Sequence, residues 1–196
     1  MEALSRRLCC AALLAFSLNA GAQPPATEDE DAYNEYTIRA SHYPADAPRF
    51  EDYPARVYHG PLAPTRWQAD AGSRMFRTRL KDWGKERPNF AGHYTMAMWG
   101  CGTDCTMFMI IDARTGKVHQ PEVATNVAVN VHEDLGVGGW HGAGSLRFRP
   151  DSRLLVLIGM PNEDTKQRGI SFYKWTGTQL KLIRRAPVAW YPDLTQ

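Results

Sequence analysis

Two cysteines four residues apart, Cys101 and Cys105, stand between two segments of strand character, and this arrangement constrains the fold more than any other feature of the chain. Before them Tyr94, Met96 and Met98 alternate with His93, Thr95, Ala97 and Trp99, the period of a half-buried strand. After them Met107 to Ile111 is an unbroken apolar run of strand length, which predicts a central strand covered on both faces. Ala113-Arg114-Thr115-Gly116 then supplies turn chemistry, and Lys117-Val118 begins a third strand.

The compartment follows from the N-terminus. Arg6 and Arg7 precede an apolar run from Leu8 to Leu18, and Ala20-Gly21-Ala22 has the small residues of a cleavage site, so residues 1–22 read as a secretory signal. The run is shorter than the roughly 20 residues that span a bilayer, and no later stretch qualifies as a transmembrane segment. The expected product begins at Gln23 and resides in the periplasm or outside the cell. Cys9 and Cys10 leave with the signal, so Cys101 and Cys105 remain as the single pair, and an oxidising compartment favours a disulfide between them. Removing Arg6, Arg7 and Glu2 from 23 basic and 21 acidic residues leaves 21 against 20. That balance argues against a nucleic-acid partner.

Residues 23–65 form an acidic leader, with Glu28, Asp29, Glu30, Asp31 and Glu35, followed by a Pro-punctuated extended arm carrying Tyr43, Phe50, Tyr53 and Tyr58. Residues 66–196 form a single β-rich domain. Its helix is predicted over Trp67 to Trp83, where Phe76, Leu80 and Trp83 recur on one face with Met75 beside them, and Arg74, Arg77 and Lys81 lie outside. That basic stripe reads as a solvated face, with an anionic partner or lipid headgroups as the sharper alternative.

Val127, Val129 and Val131 alternate; LGVGGWHGAGS, Leu135 to Ser145, is a glycine-dense loop; Leu154 to Ile158 is a second apolar run. The polar loop Pro161 to Arg168, the strand Ile170 to Trp175 and the turn Thr176-Gly177-Thr178 then repeat the earlier order. The fold class is therefore mainly β: antiparallel meanders, as a β-sandwich or propeller-like fragment, with one packed helix.

NFAGHY, WGCGTDC, IIDARTGKV, RPDSRLLVL and YKWTG together resemble a family of uncharacterised secreted or periplasmic bacterial proteins. The resemblance covers roughly Arg87 to Arg185. It implies location and fold and carries no catalytic set.

Several chemistries compete for the conspicuous side chains. The Cys101–Cys105 spacing has one residue more than a redox C-x-x-C and lies between strands, which favours a structural clamp. Zinc would need both thiolates with His93, His132 or His141 and lacks a second close ligand pair, so no metal and no cofactor are expected. A hydrolase would draw on His141 with Glu133 or Asp134, and on Ser145, but Gly142-Ala143-Gly144-Ser145-Leu146 is no nucleophile elbow. Asn162-Glu163-Asp164 lacks calcium-loop spacing.

The preferred reading is a non-enzymatic exported protein that recognises an envelope protein or cell-wall glycan, an inhibitor or immunity protein being one form of it. Its binding edge is expected to hold Trp99, Asp104, Trp140, His141, Asn162, Glu163, Asp164 and Arg168, with the aromatics as anchors. The runner-up is the small hydrolase.

Overall fold

A computed structural model describes residues 38, 40–67, 71–102, 105–128 and 146–189. Two short helices, α1 (Ala71–Met75) and α2 (Arg77–Trp83), precede eight strands: β1 (Tyr94–Gly102), β2 (Cys105–Asp112), β3 (Val118–His119), β4 (Asn126–Ala128), β5 (Leu146–Phe148), β6 (Leu154–Pro161), β7 (Gly169–Trp175) and β8 (Leu180–Pro187). They make one open antiparallel sheet in the order β1-β2-β4-β6-β7-β8. The short β3 pairs with β2, and β5 with β6, on the edges that β4 also uses.

The two apolar runs become β2 and β6, each with a neighbour on both sides. β4 joins the halves through two rows, Cys105–Ala128–Met160 and Thr106–Val127–Pro161. Gly159 permits that approach. Its φ of +134° disfavours other residues, and a Cβ there would lie 2.3 Å from the Ala128 carbonyl oxygen.

The halves fold over each other. Tyr94, Met96, Phe108 and Ile110 of the first meet Leu155, Leu157, Tyr173 and Trp175 of the second in one buried cluster. The opposite face of the first half, with Ala97, Trp99, Met109 and Ile111, lies under Trp67, Phe76, Leu80 and Trp83. The opposite face of the second, with Leu154, Val156, Ile158, Ile170 and Phe172, lies under Ile38, Tyr43, Phe50 and Tyr53 from the arm. Strand alternation sorts these residues between the layers. Each fully buried large side chain contributes on the order of 1.5–3 kcal/mol.

The helical stretch departs from the sequence expectation in two ways. Trp67 precedes the described helix, and the helix breaks at Phe76, whose φ of −100° and ψ of 21° interrupt the two segments. The break turns Met75 outward to 74% exposure, so it does not share the apolar stripe of Phe76, Leu80 and Trp83. Along β1 the open edge is capped: Asn89 Oδ1 accepts from the Met96 amide at 2.7 Å, and Trp83 Nε1 donates to the Met98 carbonyl at 3.1 Å.

Candidate functional site

Past the buried Trp99 the β1–β2 hairpin reaches its exposed end. Gly100 pairs with Thr106, the register slips, and Gly102 pairs with Cys105. The expected disulfide joins Cys101 to Cys105, with Cα atoms 5.1 Å apart. Gly100, Cys101 and Gly102 are exposed. Because the sulfurs are bonded to each other, neither is a thiolate for redox attack or zinc in this state. Closing so short a loop stabilises by about 2 kcal/mol. The double variant Cys101→Ser/Cys105→Ser is therefore expected to stay folded with a melting temperature lowered by a few degrees; calorimetry showing no cooperative transition would contradict this.

The loop after β6 is held by its own polar side chains. Asn162 and Glu163 take positive φ, +54° and +59°, and reverse the chain. Asn162 Oδ1 accepts from the Thr125 amide at 2.8 Å and the Thr125 hydroxyl at 3.0 Å, while its Nδ2 donates to the Glu122 carbonyl at 3.1 Å. Asn126 Nδ2 donates to Glu163 at 2.9 Å. Asp164 caps the following turn, accepting from the Lys166 amide at 3.0 Å and from Gln167 at 2.9 Å. Arg168 is 1% exposed, and its Nη1 donates to the carbonyls of Val188 and Ala189. Each of these four residues makes at least one hydrogen bond that holds the loop.

Trp99 is also internal. It is 7% exposed and its ring lies 4.9 Å from that of Phe76, so it fills the layer under the helices and does not serve as an exposed anchor. Asp104, Trp140, His141, His132, Glu133, Asp134 and Ser145 lie outside the described residues. Of the expected edge the sheet brings two parts together: the Cys105–Ala128–Met160 row sits at the clamped end, and the Asn162 loop is tied to the segment entering β4.

A second cluster went unread in the sequence. Where the halves meet at the far end of β1, the Tyr94 ring stands 5.3 Å from Trp175, His119 stands 5.3 Å from Trp175, and His93 lies 4.2 Å from Tyr94. The Tyr94 hydroxyl donates to the Gly177 carbonyl at 3.3 Å. His93 Nε2 is 3.8 Å from Asp112 Oδ1. That carboxylate is already engaged, accepting from the Arg114 amide at 2.8 Å and the Thr115 hydroxyl at 2.9 Å, so it shapes the turn. A cleft of about 260 Å³, lined by Gln120 to Val123 and Thr178 to Leu180, opens beside the cluster.

Burial pushes both imidazoles below their ordinary range, reinforced by Arg114 at His93 and Lys117 at His119 and opposed in both by Asp112. A lowered folded pKa means the unfolded chain takes up protons first, so this stabilisation is full above 6.5 and is lost as pH falls below it. The depressed carboxylates Asp151 and Asp164 titrate below their ordinary 3.8 and act only at lower pH. The melting temperature is thus expected to fall between pH 7 and 5, and His119→Gln to flatten part of that slope. A flat wild-type profile over this window would contradict the assignment.

Comparison with protein-family models, curated proteins and solved structures finds no match to this chain.

Proposed function

We propose that this is an exported binding protein of the cell envelope, which recognises an envelope protein or cell-wall glycan through the clamped end of its first hairpin. The observation that carries the reading is the exposed end of β1, Gly100 to Gly102, pinned to β2 by Cys101–Cys105. A preshaped loop binds with less ordering cost than a mobile one, because the disulfide has already removed its freedom. The neighbouring loop is similarly fixed by the three hydrogen bonds of Asn162. Pinning serves recognition more than stability, since about 2 kcal/mol is a minor part of the stabilisation a domain of this size carries.

The test places a photo-crosslinking amino acid at Gly102 and, as a control, at Lys181 on the far edge strand β8. Irradiation with isolated envelopes and sacculi is expected to give a discrete adduct at position 102 that disappears in the Cys101→Ser/Cys105→Ser background. Equal labelling from both positions, or an adduct indifferent to the clamp, would overturn the proposal.

A further inference from the structure

Charge is unevenly distributed along this chain. Arg66 to Arg87 holds seven basic and three acidic residues, whereas the remainder holds 16 basic against 18 acidic. The whole surplus of positive charge therefore belongs to the helical layer. All seven basic side chains are exposed. Among them Arg74 and Arg77 flank Met75, the most exposed large apolar side chain among the described residues at 74%.

The layer is also firmly seated. The preceding strap is tied to the β2–β3 turn, with the Ala63 amide donating to the Ala113 carbonyl at 2.8 Å and the Arg66 amide to Gly116 at 2.7 Å. Between strap and α2 lies a cleft of about 600 Å³, whose polar lining is Thr65, Thr78, Lys81, Lys85 and the single carboxylate of Asp82. Lys81 Nζ rests 4.9 Å from the Trp67 ring centre, and Lys85 reaches Asp82 at 2.9 Å.

We infer that this face docks on a membrane surface rich in anionic phospholipid, with the lysines and arginines against headgroup phosphates and Met75 dipping into the interface. Cations around an apolar tip match the two demands of an interfacial site: attraction to negative lipid and a small buried apolar contact. Ammonium groups and threonine hydroxyls at the cleft are the donors that a phosphodiester accepts. An anionic polysaccharide would satisfy the charge but leaves the exposed methionine without a role. The surface uses other residues than the clamped hairpin, and different variants test the two readings.

The test is co-sedimentation of the chain from Gln23 with vesicles of phosphatidylcholine alone or mixed with phosphatidylglycerol. Binding is expected only to the anionic vesicles and should weaken as salt rises. Each cation near the surface is worth roughly a fivefold change in partitioning. Arg77→Glu/Lys81→Glu, one turn apart on the same face of α2, should therefore lower it more than about 25-fold, while Lys174→Glu on β7 leaves it within twofold. Met75→Ser should weaken vesicle binding severalfold without changing binding to alginate, a soluble anionic polysaccharide. Equal binding to neutral vesicles, no binding to either kind, an unaffected Arg77→Glu/Lys81→Glu protein, or an unaffected Met75→Ser protein would each overturn the inference. Circular dichroism of every variant establishes that the fold is intact.

Discussion

Trp175→Ala is expected to lower the folding free energy by about 4 kcal/mol, the largest single-residue effect in this domain. Trp175 is 0% exposed and stands where the two halves close, with Phe90 at 6.4 Å, Tyr94 at 5.3 Å and His119 at 5.3 Å from its ring centre. Truncation removes the ring and leaves a cavity bounded by both halves, which neither can fill alone. Since small domains carry about 5–15 kcal/mol in all, much of the reserve would be lost. Trp175→Phe should cost less than half as much, because one aromatic ring remains to pack against Tyr94. Urea denaturation at 25 °C reads the difference; a loss below about 1 kcal/mol for the alanine variant would mean that the halves do not depend on this contact.

Asn162→Ala should cost about 2–3 kcal/mol although the residue is exposed. Two effects add: a Cβ-bearing residue other than Asn is strained by about 1–2 kcal/mol at φ +54°, and three hydrogen bonds to Thr125 and Glu122 disappear. Asn162→Gly separates them, since it restores the backbone freedom without the bonds. It should recover roughly 1 kcal/mol. Denaturation of both variants, with hydrogen exchange at the Thr125 amide, checks this; a silent alanine variant would show that the stitching is dispensable.

The alternation of Tyr94, Met96 and Met98 against Thr95, Ala97 and Trp99 placed each side chain on the face it occupies, because strand period is a local property. The apolar runs likewise marked β2 and β6 as central strands. What local pattern does not contain is the folding of one half over the other. Tyr94 and Trp175 meet across 81 positions of chain, and His93, Tyr94 and His119 gather only because they do, so that cluster had no signal of spacing. The nearest clue was that Tyr94 begins β1 and Trp175 ends β7, each a large aromatic at a strand terminus.

Other departures have equally specific causes. Trp99 reads as an anchor only if nothing covers its face, and α2 covers it through Phe76. Asn162, Glu163, Asp164 and Arg168 look like a polar recognition loop, yet a chain reversal with two positive-φ residues needs the hydrogen bonds they make. Met75 leaves the helical stripe because the axis breaks one residue later. The short third strand expected at Val118 is β3, and the turn Glu122–Ala124 after Pro121, which has no amide to donate to a ladder, separates it from β4.

The account rests on export and on the pinned hairpin together, and one intact-mass measurement addresses both. The protein is recovered from a bacterial host that makes the full chain, alkylated under denaturing conditions without reductant, and weighed. The expected species begins at Gln23, carries no alkyl group, and is lighter than its reduced form by two thiol hydrogens. A chain that still begins at Met1 with Cys101 and Cys105 both alkylated would contradict the account at its base.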